Sequence, residues 1–192
     1  CRLGHAGKAV IWGFPEDVRG NADRVDRSLL AQLNQQYARF DRVFLWLSRL
    51  EFTDKTIPDY KAPEVFLQAY AKLVNEDRAN VHAIIGAHGS DVEAFQCRAD
   101  GLGLGDRLTY VPHLPYWQLL TYVSMDNGVA VDKLVQSDGS VGGMTREALS
   151  VGAIVIRALD EEFVRLSLGD GCPIRQLRRS WMWSRTFRMA DT

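Results

Sequence analysis

Three cysteines, Cys1, Cys97 and Cys172, are scattered over 192 residues. An odd number, far apart and without metal-ligand spacing, supports neither a disulfide scaffold nor a zinc site, and a reducing cytoplasm is the expected compartment. No apolar run approaches the roughly 20 residues that a membrane span needs, and no signal peptide is visible. Charge of one sign is also lacking: a formal net charge of -1 gives no global attraction to nucleic acid or acidic membrane. Gly-x-Gly-x-x-Gly does not follow the first predicted strand, and Gly-Lys-Ser, Gly-Lys-Thr and the Gly-x-Ser-x-Gly elbow do not occur. That argues against a dinucleotide oxidoreductase, a P-loop NTPase and a nucleophile-elbow hydrolase. The chain opens Cys1-Arg2-Leu3-Gly4 without an initiator Met, which suggests a fragment of something longer.

The length suits one domain with a real core, at 46% hydrophobic residues. Residues 1–24 carry turn signals and read as a lead-in linker; 25–173 read as the folded domain, and 174–192 as a basic, Trp-rich tail or helix. Leu29, Leu30, Leu33, Tyr37 and Phe40 recur at helical spacing over 25–40. Five short apolar runs then alternate with helical stretches: strands at 43–47, 81–86, 108–112, 128–132 and 153–158, with helices beginning at Pro63, Asp91 (capped by Ser90), Tyr116 and Met144. Strict alternation predicts an α/β fold, a Rossmann-like, doubly wound parallel sheet.

In such a sheet ligands gather at the carboxyl ends of the strands. Ser48 and Arg49 follow the first strand, Gly86, His88 and Gly89 the second, His113 and Leu114 the third, and 133–140 the fourth. The richest stretch is Ser137-Asp138-Gly139-Ser140-Val141-Gly142-Gly143-Met144-Thr145-Arg146-Glu147. Its glycines let backbone N–H groups approach an anion just before a helix N-terminus, where partial positive charge favours phosphate. Glu147, one turn into that helix, stands beside the anion position, suited to accept hydrogen bonds from sugar hydroxyls. Arg49, with Lys55 or Lys61, could meet a diphosphate, although a surface ion pair with Glu51 or Asp54 explains Arg49 equally well. His88 and His113 lack an acidic partner at motif spacing, so a structural role is favoured for both.

The order of these pieces resembles the C-terminal, donor-binding domain of GT-B glycosyltransferases, in particular the retaining enzymes of family 4, over about residues 43–160. Leu47-Ser48-Arg49-Leu50 is similar to the family's Gly-Arg-Leu, Tyr60-Lys61-Ala62 to its Lys-Gly, and Ile84-Ile85-Gly86-Ala87-His88-Gly89 to its Val-Gly-x-Gly. The run from Arg107 to Leu114 is similar to the stretch that holds the base. Arg146 to Ile156 is similar to Glu-Ala-x-Ala-x-Gly-x-Pro-Val-Ile. The chain departs at Ala62 for Gly, at Ala153 for Pro, and at Gly139, beside Asp138, where members often carry Glu.

The resemblance implies a transferase, moving sugar from a nucleotide-diphosphate donor to an unknown acceptor, without a metal or other cofactor. It assigns Asp138 and Gly139 to the catalytic region. It assigns Arg49, Lys61, Gly86, His113, Leu114, Ser140, Gly142, Gly143 and Glu147 to the donor, with Glu147 on the ribose. The family's N-terminal acceptor domain has no counterpart here, so the chain would be half an active site and inactive alone. The tail, with Arg175, Arg178, Arg179, Arg185 and Arg188 among Trp181, Trp183 and Phe187, fits a closing helix packed on a neighbouring domain. Its second reading is a peripheral contact at the inner face of the membrane; no nucleic-acid partner is expected. The alternative from another class is a non-catalytic binding or regulatory module with the same fold.

Overall fold

The computed structural model describes residues 17–57, 59–135 and 142–158. In chain order they form α1 (Val18–Asp23), α2 (Arg27–Tyr37), β1 (Arg42–Trp46), α3 (Pro63–Asn75), β2 (Val81–Gly86), α4 (Val92–Gly101), β3 (Leu108–Val111), α5 (Tyr116–Val123), β4 (Gly128–Val131), α6 (Gly143–Ser150) and β5 (Ile154–Ile156). The five strands make one all-parallel sheet in the order β3-β2-β1-β4-β5. This is the Rossmann-like α/β architecture that the alternation of elements predicts.

The reason lies in the period of two along the central strand. Phe44 and Trp46 point to one face, where they pack with Phe66, Leu67 and Tyr70 of α3 and Phe95 of α4. Val43 and Leu45 point to the other, where Leu33 and Tyr37 of α2, Val123 of α5 and Met144 and Ala148 of α6 cover them. With both faces apolar, β1 must be sandwiched, and an uninterrupted apolar run is what a buried parallel strand looks like in sequence. The winding reverses at β1: β2 and β3 extend the sheet on one side and β4 and β5 on the other. The carboxyl ends of β1 and β4 therefore border the topological switch point, where open parallel sheets bind ligands.

Two boundaries differ from the sequence reading. The end of the lead-in segment is folded: α1 lies against α5 and α6, and Asn21, fully buried, donates to Ser150 Oγ at 2.9 Å and accepts from Tyr116 Oη at 2.9 Å. A six-residue helix held by a polar hub has no apolar periodicity to announce it. Ser90 does not cap α4 either. Asp91 occupies the cap position, but its carboxylate turns away to accept from Phe52 N, Thr53 N and Thr53 Oγ1, which ties the loop after β1 to the start of α4.

His82 lies in the amino-terminal half of β2, away from the switch point. It stacks on Phe40 (4.7 Å) beside Tyr37 and shares a 2.9 Å hydrogen bond with Thr109 Oγ1. Burial, with Arg39 and Arg107 nearby and only Asp106 opposing, depresses its pKa to about 4. The folded state thus binds fewer protons than the unfolded chain between about pH 6.5 and 4, so stability is full above that window and falls as pH falls through it, by at most about 3 kcal/mol. Denaturant titrations at pH 7 and pH 4.5 should differ in the parent. The difference should shrink in His82→Gln, and an equal acid loss in both proteins would assign it to other groups.

Candidate functional site

The switch point is built around a buried charge. Asp132, the first residue after β4, is fully buried, and its carboxylate is held from several sides. Lys61 Nζ lies 2.8 Å from Oδ1, with Ser48 Oγ at 3.4 Å. Arg157 Nη1 lies 2.6 Å from Oδ2, and Thr145 Oγ1 donates to the same atom at 2.7 Å. Burial by itself would raise this carboxyl's pKa, but Lys61, Thr145 and Arg157 outweigh it and hold the group below the usual carboxylate value, hence ionised. Each partner comes from a different element: Ser48 from the end of β1, Lys61 from the approach to α3, Thr145 from the first turn of α6, and Arg157 from just beyond β5. One side chain thus joins four segments at the carboxyl edge of the sheet.

The start of α6 sits directly on this cluster. A Cβ placed on its N-cap, Gly142, would come within 3.1 Å of both Arg157 Nη1 and Asp132 Oδ2, and 3.8 Å from Lys61 Nζ. Glycine is needed here so that the helix terminus can approach the charges, and having no side chain it cannot cap its own helix. Glu147 reaches back along α6: its Oε1 would lie 3.6 Å from a Cβ on Gly143, placing the carboxylate beside the first turn. Gly142 thus adjoins Lys61, and Gly143 adjoins Glu147.

A second group of charges surrounds Asp59, on the loop between β1 and α3. Arg49 Nη2 lies 3.5 Å from it, Lys61 Nζ 3.9 Å and Lys133 Nζ 4.0 Å, and Arg49 also meets Glu51 at 3.3 Å. Arg49 is half exposed, so its ion pairs contribute only about 0–1 kcal/mol. Lys133 is different: its side chain is 6% exposed, and among the described residues its only ion-pair partner is Asp59. Lys55, the alternative to Lys61 in sequence, turns to Glu64 at 3.0 Å and lies over the Tyr60 ring. Beside Arg49 and Asp59, a cavity of about 550 Å³ opens between their loop and Ser90 and Asp91.

Gly86, His88, His113 and Leu114 fall at the ends of β2 and β3, on the other side of β1 from Asp132. The two imidazoles meet edge to face at 4.8 Å, and a Cβ on Gly86 would come within 3.1 Å of the His88 ring. Burial, His113 and Arg49 lower the His88 pKa against a smaller opposing effect of Glu51, so this ring is neutral at pH 7. Leu114 packs into the core on the α2 and α5 face. Asp138, Gly139 and Ser140 lie outside the described residues, as does the tail 174–192.

Ala62, which stands where the family pattern has Gly, adopts φ 60° and ψ 56°. That left-handed backbone costs an L-residue about 1–2 kcal/mol and is one that glycine adopts freely.

No model of a known protein family matches this chain, and no curated protein matches it. Among the described residues no helix is long and apolar enough to cross a membrane.

Asp132, Thr145 and Arg157 are the residues that reading along the chain did not single out. A signal existed: Asp132 and Lys133 directly follow one apolar run and Arg157 directly follows another, so both sites are carboxyl ends of predicted strands. What sequence could not supply is that the two ends are adjacent and that the carboxylate is buried between them.

Proposed function

We propose that this domain binds the nucleotide-diphosphate sugar of a retaining glycosyltransferase, with the diphosphate at the switch point between β1 and β4 and the ribose on Glu147. The observation that carries this reading is the convergence of Lys61 and Arg157 beneath the N-terminus of α6, with a carboxylate one turn along the same helix. Two cations and a helix terminus against one buried carboxylate leave positive potential where a leaving diphosphate develops charge, which is the electrostatic task in glycosyl transfer from such donors. Arg49, at the cavity edge, adds a bidentate fork. Gly86, His113 and Leu114 form the far rim, near the backbone that the family uses for the base. Asp138, Gly139 and Ser140 belong to the sugar end of the same reading. In this scheme the domain carries the donor side of an active site, and the acceptor side falls to a second domain.

Titration with UDP-, GDP- and ADP-sugars is the direct test, with one of them expected to bind saturably. Glu147→Gln keeps an acceptor oxygen and loses charge assistance, so affinity should fall by about 1.5–3 kcal/mol. A 2′-deoxy donor should bind the parent weakly and lose little more in the variant. Saturable binding to none of the three donors would favour the non-catalytic module.

A further inference from the structure

α6 carries Gly143 and Glu147, yet little apolar surface holds it down. It is eight residues long, and of its apolar side chains only Met144 and Ala148 are buried, while Leu149 is 41% exposed. A single i, i+4 pair makes a narrower stripe than the arc of about 100° that usually seats a helix on a core, so burial alone fixes the rotation of α6 about its axis only weakly. Polar contacts pin it instead, one at each end. Thr145 donates to Asp132 in the first turn. At the last residue, Ser150 Oγ donates back to Glu147 O at 2.7 Å and accepts from Asn21 Nδ2 at 2.9 Å.

The chemistry of the partners sets the direction of this second pin. Arg24 Nη1 and Tyr116 Oη both lie 2.9 Å from Asn21 Oδ1, and a guanidinium can only donate, so the amide oxygen faces Arg24 and the amide nitrogen faces Ser150. Ser150 has one hydroxyl proton, and with Asn21 donating to its oxygen that proton goes to Glu147 O. A one-way chain of hydrogen bonds thus runs from Arg24 through Asn21 and Ser150 to the backbone of Glu147. Its starting end is firm: Tyr116 begins α5, whose Leu120 and Val123 are buried in the core, and Asp26 N, just beyond α1, donates to Thr121 Oγ1 at 3.0 Å. Asn21 has no exposed surface, so water does not compete for its amide.

We infer that Asn21 is a positioning residue for Glu147: it fixes the seating of α6, so that the lead-in segment takes part in the site through a chain of hydrogen bonds and not by contact with a ligand. What Glu147 would hold rests on the donor-site reading; the seating of α6 does not.

Asn21→Asp and Ser150→Ala interrupt the chain from its two sides. In Asn21→Asp the new carboxylate still accepts from Arg24 and Tyr116 but has no proton for Ser150, whose hydroxyl turns to it and leaves Glu147 O. In hydrogen exchange without ligand, each variant should speed the amides of 146–150 about fivefold over the parent, the weight of one buried hydrogen bond. The double variant should exchange no faster there than the faster single one, because there is one chain to break. Ser150→Ala buries no new charge, so it decides the matter by itself where Asn21→Asp does not fold. Parental exchange over 146–150, equal acceleration throughout the sheet, or effects that multiply in the double variant would each overturn the inference. The second readout is the preference of the parent for a ribo over a 2′-deoxy nucleotide sugar, which Ser150→Ala should cut by about fivefold as Glu147 loses its placement. A full preference kept in a variant whose α6 has loosened would also overturn it. Loosening of α6 in both variants of a parent that binds no nucleotide sugar would uphold the seating and count against the donor reading alone.

Discussion

Replacing Asp132 by alanine should lower the unfolding free energy by about 3–5 kcal/mol, the usual penalty for removing one member of a buried ion pair. Arg157 is 4% exposed at its side chain and Lys61 13%, so neither cation can recover its hydration without moving the segments that carry them. Thr145 loses its acceptor as well. Equilibrium unfolding in urea measures the loss. Combining Asp132→Leu with Arg157→Leu and Lys61→Met should regain much of it, because the penalty comes from orphaned charge rather than from lost shape. A loss under about 1 kcal/mol in Asp132→Ala would mean that water reaches the cluster and the charges are not truly buried. Acid should act the same way. The folded pKa of Asp132 lies below its ordinary value, so its contribution is present above the unfolded pKa, near 3.8, and is lost as pH falls through the folded one. That window lies below the one expected for His82.

Gly89→Ala should be comparably damaging although it adds a single methyl. Gly89 has φ +112°, a conformation rare for any L-residue, and a Cβ there would stand 2.5 Å from Leu50 O and 2.8 Å from Leu50 N. Both atoms are engaged: Leu50 N donates to His88 O at 2.8 Å, and Leu50 O accepts from Asp91 N at 3.0 Å. The clash is with backbone on both sides and cannot be relieved by a rotamer change. Backbone strain of about 1–3 kcal/mol and one or two broken hydrogen bonds at about 1 kcal/mol each put the expected loss near 3 kcal/mol. Because the displaced segment is 48–50, nucleotide-sugar affinity under the proposed function should fall with it through Arg49. A variant that melts within a degree or two of the parent would show that the two loops are less tightly joined than their hydrogen bonds imply.

Both predictions concern contacts between loops that follow different strands, which is where reading the chain and seeing it folded diverge. The elements themselves were legible. Val81–Gly86 is a strand at the predicted limits, and Pro63 opens α3 as its fixed φ and missing N–H suggest. The doubly wound sheet follows from apolar runs alternating with amphipathic stretches, because burial on both faces leaves such runs few other places to go. Gly143 and Glu147 lie four residues apart, about one helical turn, so that their proximity is a matter of local geometry.

Composition and periodicity alone thus determined the class of fold, its element order and the edge of the sheet at which polar residues collect, since these depend on local propensity and on which faces must avoid water. Only the tertiary structure decided that the ends of β4 and β5 and the approach to α3 meet at Asp132, that Lys61 rather than Lys55 faces it, and that Lys133 is buried with Asp59 as its distant counter-charge. Those facts depend on strand order. Residues 61, 132 and 157 become neighbours because β4 inserts between β1 and β5, and no spacing along a single chain encodes which strand lies beside which.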